Sequence, residues 1–342
     1  MTEELHISTD GQLGRIVLDR PRAINALSVE MIEGIHVALE AWVADETVGA
    51  VLFAGAGEKG FCAGGDVRAA RGHVVDGRAE EADRYFATEY RMNALIATYP
   101  KPLVAVTHGI VMGGGIGIAG HCGIRITQPG ARFAMPESAI GFFADVGVNA
   151  ILAKAPLNRA LLFTLSGASV GAADAVALGL ADAVVRPDRV EALIADIAAA
   201  AGSSRSADAI VRLLQAETVV GGDAPFCAMA DLLPADPPQS VREFVARVAA
   251  APELGELSAL LATRCPASLA ASFHGQIEAR RLMDVRQTLA MDLRLACLMA
   301  RRGDFAEGVR AVLVDKDQRP AWQPPSLDAL DEAPIAEAAR GR

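Results

Sequence analysis

Glu137 and Asp145 are the only charged residues in the apolar stretch from Met135 to Gly147. Ile140, Phe142, Phe143 and Val146 crowd them. A carboxylate in such surroundings is unstable unless it is paired, hydrogen-bonded or protonated. Two acids whose surroundings push their pKa values apart can serve one reaction as base and acid. Helix capping is the plainer role. Asp145 is placed to cap a helix beginning at Val146. Glu137 stands in a loop framed by Pro136 and Gly141, where a cap explains it less well. On a continuous helix their spacing would set the two about 80° apart. Gly141 interrupts such a helix, so a folded-back loop can bring them together.

Two glycine-rich segments come earlier. Gly60-Phe61-Cys62-Ala63-Gly64-Gly65-Asp66 follows an apolar run, and Asp66 can start a helix. His108-Gly109-Ile110-Val111-Met112-Gly113-Gly114-Gly115 opens a helix of small residues reaching about Ala119. Backbone N–H groups freed at such turns can point at a developing oxyanion. An ordinary strand-to-helix turn or tight helix packing also uses glycine. Two donor-presenting loops and a later acid pair say more together than any one of them alone.

Two other motif matches lack the context their chemistry needs. Gly115-Ile116-Gly117-Ile118-Ala119-Gly120 fits G-x-G-x-x-G. In a dinucleotide site the first glycine directly follows a strand, whereas here the strand is expected to end near Val106. Gly167-Ala168-Ser169-Val170-Gly171 fits G-x-S-x-G, but only His274 follows it as a base, and in a helical stretch. Ser169 is expected instead to cap a helix through Ala172, Ala175 and Leu178.

Strands are expected at Leu13–Leu18, Ala50–Phe53, Leu103–Val106, Ile124–Ile126 and Arg132–Ala134. Ser28 caps a helix whose buried face is Ile32, Ile35, Leu39 and Trp42. Residues 80–98 form another helix, and Asp188 caps one carrying Val190, Leu193, Ile194 and Ile197. Strands alternating with helices argue for an α/β core. Loop clusters at Gly221-Gly222-Asp223 and Asp236-Pro237-Pro238 precede several helices over 239–314, then an extended tail from Arg319. The expected division is an α/β core over 1–200 and a helical region over 201–342.

The chain has 342 residues, 52% hydrophobic and 22% charged, which makes it globular rather than disordered. Its formal net charge of −10 disfavours nucleic-acid and anionic-membrane partners. There is no apolar run of membrane-spanning length, and the acidic start has neither a signal-peptide core nor an Arg-rich presequence. The five cysteines form no C-x-x-C pair, and His and Cys do not cluster at metal-ligand spacing. A reduced protein without a metal, cytoplasmic or already processed, is the expectation.

In combination these residues resemble the crotonase (enoyl-CoA hydratase/isomerase) superfamily. Five segments carry the resemblance: Gly60 to Asp66, Glu89-Tyr90, His108 to Gly117, Phe133 to Asp145, and Asp304 to Trp322. The last distinguishes the hydrolase branch from general hydratases. The implied fold is α/β, a crotonase-like spiral of ββα units with a helical C-terminal region. Gly65 and Gly114 match the N–H donors that hold the thioester oxygen. Glu137 matches the family's catalytic glutamate, Asp145 its aspartate, and Glu89 an acid that contacts substrate.

Hydratases of the superfamily use a second glutamate two residues beyond the triple glycine, where this chain has Gly117. The resemblance therefore implies acyl-CoA thioester hydrolysis, with 3-hydroxyisobutyryl-CoA, an intermediate of valine breakdown, as substrate. CoA is part of that substrate, and no separate cofactor is implied. A homo-oligomer is allowed by the sequence but not indicated. Two departures touch the acyl pocket: Ala144 where the family has proline, and Gly147-Val148-Asn149-Ala150 where it has a glycine run. Ala-Asp-Val-Gly also resembles dienoyl-CoA isomerases. Unsaturated acyl-CoA chemistry, or binding of a CoA ester without turnover, are the alternatives.

Overall fold

The computed structural model describes residues 3–203, 205–218 and 222–341, so Gly221 of the expected loop cluster lies outside the described residues. The chain forms two compact units that interleave in sequence. The first comprises Met1–Gly65, Arg91–Phe133 and Val170–Ala224; the second comprises Asp66–Tyr90, Ala134–Ser169 and Pro225–Arg342.

The first unit is built on a six-stranded sheet. Its strands are β1 (Leu5–Asp10), β2 (Leu13–Leu18), β3 (Ala50–Gly55), β5 (Leu103–Thr107), β7 (Ile124–Thr127) and β9 (Ala183–Val184), in that spatial order. β1 and β2 are antiparallel and the remaining pairs are parallel. β3 and β5 are apolar runs buried on both faces, as parallel strands require. Leu13, Leu52, Val104, Val106 and Ile126 pack against Leu193 and Ile197 of helix Pro187–Ala201, and against Ile210 and Leu214 of helix Ser206–Glu217.

Ser28 caps helix Val29–Val43 as expected, its hydroxyl accepting from the Met31 N–H at 3.3 Å. The cap expected at Asp188 lies at Arg186 instead. Pro187, with its fixed φ, takes the first helical position, and Asp188 is held by the Arg186 guanidinium at 2.8 and 3.0 Å. Ser169 does not cap its helix either. Val170 exchanges backbone hydrogen bonds with Phe133, which keeps the chain extended until Gly171, and the helix begins at Ala172.

Three short strands, β4 (Gly60–Cys62), β6 (Ile110–Met112) and β8 (Arg132–Ala134), form a second sheet. β4 and β6 fall within the stretches expected to be glycine-rich loops. β6 leads directly into Gly113 and the helix Gly114–Ala119.

The second unit is mainly helical. Helix Pro266–Leu282 is buried on nearly every side and packs with Leu157–Ser166, Val148–Leu152, Val285–Ala300 and Ala333–Arg340. That last helix corrects the expected extended tail. Pro334 sits in its first turn, where proline is tolerated, and Ile335 and Ala339 are buried.

Candidate active site

The first unit presents the glycine donors. Gly64 has φ +109, and a side chain on it would lie 3.3 Å from the Met112 carbonyl and 3.6 Å from the Gly114 nitrogen. Leu27 donates to the Gly64 carbonyl at 2.8 Å and fixes this approach. Gly65 thus follows a turn that abuts the start of helix Gly114–Ala119. The first N–H groups of a helix have no acceptor within it. Among the described residues neither the Gly65 nor the Gly114 N–H has a hydrogen-bond acceptor. Gly117 is buried inside the same helix.

The second unit holds the acids. Pro136 opens a single 3-10 turn, Pro136–Ile140, that ends at Gly141 in the left-handed region with φ 72. Glu137 therefore sits in a helical turn rather than an open loop. The backbone of helix Gly303–Val309 presses directly on that turn. A side chain on Gly308 would lie 2.3 Å from the Ile140 carbonyl carbon, and one on Gly141 would lie 2.1 Å from the Asp304 oxygen. This C-terminal segment is thus a backing for Glu137. It also holds helix Val67–Val75, where Arg71 donates to Ala306 O and Arg68 to Leu313 O, both at 2.8 Å.

Asp145 is not a helix cap. Helix Val148–Leu152 starts after Gly147 without a side-chain cap, and the Asp145 carboxylate accepts from the Tyr90 hydroxyl at 2.6 Å. Helix Ala79–Ala97 delivers Tyr90. Phe86, Glu89, Tyr90 and Asn93 are all buried and recur at helical spacing, which puts them on one face. That spacing was the available clue to Tyr90's role. Phe86 stacks on Phe142 at 4.9 Å, and Phe142 contacts Phe143 and Phe305, so the acids lie among stacked rings.

Burial in this aromatic surround raises all three expected acids. Glu89 is pushed up to about 8, by burial first and then by repulsion from Asp145. Asp145 is pushed up to about 7 by burial, against the Tyr90 hydrogen bond that favours its charged form. Glu137 is raised well above the usual carboxylate range by burial and by repulsion from Asp145. The Glu137–Asp145 pair therefore retains a proton near neutral pH, and Tyr90 favours the charge on Asp145. Glu89 Oε1 and Glu137 Oε2 are buried without a hydrogen-bond partner. Orphaned acceptors and displaced pKa values are marks of a reactive site rather than a packed core.

The G-x-S-x-G match from Gly167 to Gly171 lacks the surroundings of a serine nucleophile. Helix Leu157–Ser166, not a strand, precedes Gly167, and His274 Nε2 is engaged with Glu332 at 3.1 Å.

A sequence profile described as Enoyl-CoA hydratase/isomerase matches residues 13–338. The chain belongs to the enoyl-CoA hydratase/isomerase family. Within that family it is 35% identical to a mitochondrial 3-hydroxyisobutyryl-CoA hydrolase of Danio rerio, over 94% of this chain and 85% of the relative. The corresponding human protein is 32% identical, over 96% and 86%. Among solved structures, a carnitinyl-CoA dehydratase from Mycobacterium thermoresistibile is 34% identical with a TM-score of 0.88, covering 98% of this chain and 96% of that one. An enoyl-CoA hydratase from Rhodobacter sphaeroides is 31% identical with the same TM-score, covering 98% and 97%. The family's crotonase fold thus extends through the helical C-terminal region, as the resemblance implied.

Proposed function

We propose that this chain hydrolyses acyl-CoA thioesters, with 3-hydroxyisobutyryl-CoA as its substrate. One observation carries the reading within the family. The buried, proton-sharing pair Glu137 and Asp145 is present, while Gly117 leaves the hydratase's second carboxylate missing. Relatives bearing the 3-hydroxyisobutyryl-CoA hydrolase name match almost the whole chain at 31–35% identity.

In the proposed reaction the Gly65 and Gly114 N–H groups take the thioester oxygen. Each such donor is worth about 3–4 kcal/mol to the tetrahedral transition state. When the proton that the pair retains rests on Asp145, ionised Glu137 either attacks the carbonyl to give an anhydride or removes a proton from the attacking water. The C–S bond breaks and CoA leaves as a thiol; the oxygen of water enters the acid directly, or enters Glu137 when the anhydride opens there and the acid keeps a Glu137 oxygen. Asp145 orients the attacking group or returns a proton to the leaving thiolate. Glu89, neutral below about 8, can donate to or accept from the acyl hydroxyl. Oxygen from labelled water found in Glu137 after a single turnover marks the anhydride route, with water opening the anhydride at the Glu137 carbonyl.

No cofactor enters this reaction. We also place the protein in the cytoplasm, where five free cysteines suit a reducing compartment.

The solved relatives named for dehydration and hydration favour a second reading, in which an unsaturated acyl-CoA is the substrate. A panel of acyl-CoA thioesters assayed for both thiol release and enoyl absorbance separates them. Thiol release supports hydrolysis. Absorbance change without thiol release supports the second reading, and binding without either leaves a CoA-ester binding protein.

A further inference from the structure

We propose that Asp292 is a positioning residue for the reaction, holding the turn that presents Asp145. This rests on the hydrolase reading for its kinetic consequences, but not for its geometry.

Asp145 stands at the head of an unfavourable turn. Val146 has φ 52 and Gly147 has φ 73, both in the left-handed region. A β-branched residue there is a conformational outlier that persists only when its surroundings impose it. Four contacts grip this turn. The Asp292 carboxylate accepts from the Gly147 N–H at 2.8 Å. The Ser272 hydroxyl accepts from the Ala144 N–H at 3.2 Å, and Asn149 donates to the Ala144 carbonyl at 2.8 Å. Tyr90 holds the Asp145 side chain itself.

Asp292 is the unusual member of this set. It is completely buried in helix Val285–Ala300, and its second oxygen, Oδ1, has no hydrogen-bond partner. An acid without a basic partner in a helix core is costly, and leucine would fill the place more cheaply. What leucine cannot do is accept the Gly147 N–H. That bond fixes the residue two places beyond Asp145, so it sets where the Asp145 carboxylate points. Burial and repulsion from Asp145 raise Asp292 well above the usual carboxylate range, opposed by the Gly147 hydrogen bond and then by Arg294. What the bond requires of residue 292 is an oxygen that accepts from the Gly147 N–H. Asparagine also offers such an oxygen.

The test compares Asp292→Leu with Asp292→Asn in the full-length protein. Activity is read as thiol release from 3-hydroxyisobutyryl-CoA, and the turn as hydrogen exchange at Gly147. Asp292→Leu is expected to lower kcat by about 10- to 100-fold with KM within about twofold, and to speed Gly147 exchange. Asp292→Asn is expected to stay within about threefold of the parent kcat, with slow exchange. The proposal is overturned if folded Asp292→Leu keeps parent kcat and slow exchange, or if Asp292→Asn falls as far as the leucine variant. If the parent releases no thiol from any acyl-CoA, the hydrolase reading fails by itself. Gly147 exchange then decides alone: fast in the leucine variant supports the proposal, and unchanged rejects it.

Discussion

The Tyr90 hydroxyl donates to the Asp145 carboxylate at 2.6 Å, and both groups are buried. A hydrogen bond to a charged acceptor is worth about 1.5–3 kcal/mol, or roughly one to two pKa units. It favours ionised Asp145, so removing it raises the pH at which the acid pair first loses a proton. Tyr90→Phe is therefore expected to move the acid limb of the kcat/KM profile upward by roughly one unit from near 7. An unmoved limb would show that Asp145 does not control the titration.

The raised acids should also weaken the fold as pH rises. Glu89 is pushed up to about 8 and Asp145 to about 7. Between their unfolded values, near 4, and these folded values, the native protein binds more protons than the unfolded chain. Stability must then fall with increasing pH across that window. Glu89→Gln removes one such group and mimics its neutral form. The melting temperature of this variant should exceed the parent's at pH 8 and match it near pH 4. A variant that melts below the parent at pH 8 would mean that charged Glu89 is paired in the native state.

Gly308 is expected to be irreplaceable for a steric reason. Its added methyl would lie 2.3 to 2.6 Å from three backbone atoms of Ile140, so the turn carrying Glu137 must shift. Overpacking of this kind costs about 1–3 kcal/mol. Gly308→Ala should lower the melting temperature by several degrees and lower kcat at least tenfold. Gly303→Ala, at a position with open space, is the control and should do neither.

These relationships differ in how far the sequence reveals them. The apolar runs Ala50–Phe53 and Leu103–Val106 announce buried parallel strands because burial on both faces leaves no polar residue. Glu137 and Asp145 stand out because charge in an apolar stretch is costly. β4 and β6 were hidden because three-residue strands among glycines look like loops. Asp145 looked like a cap because its actual partner, Tyr90, lies 55 residues away. Asp292 carried no mark in a helix of mixed polarity, since its role depends on a backbone N–H 145 residues earlier. The interleaving of the two units follows from such distant contacts, which composition along the chain does not show.

The central claim is that Glu137 drives cleavage of the thioester bond. Its most direct test measures CoA thiol and 3-hydroxyisobutyrate together, from 3-hydroxyisobutyryl-CoA, for the parent and Glu137→Gln. Equal amounts of both products are expected from the parent, and a rate at least about a thousandfold lower from the variant. Parent protein that releases no thiol, or a Glu137→Gln variant that releases it at the parent rate, would contradict it.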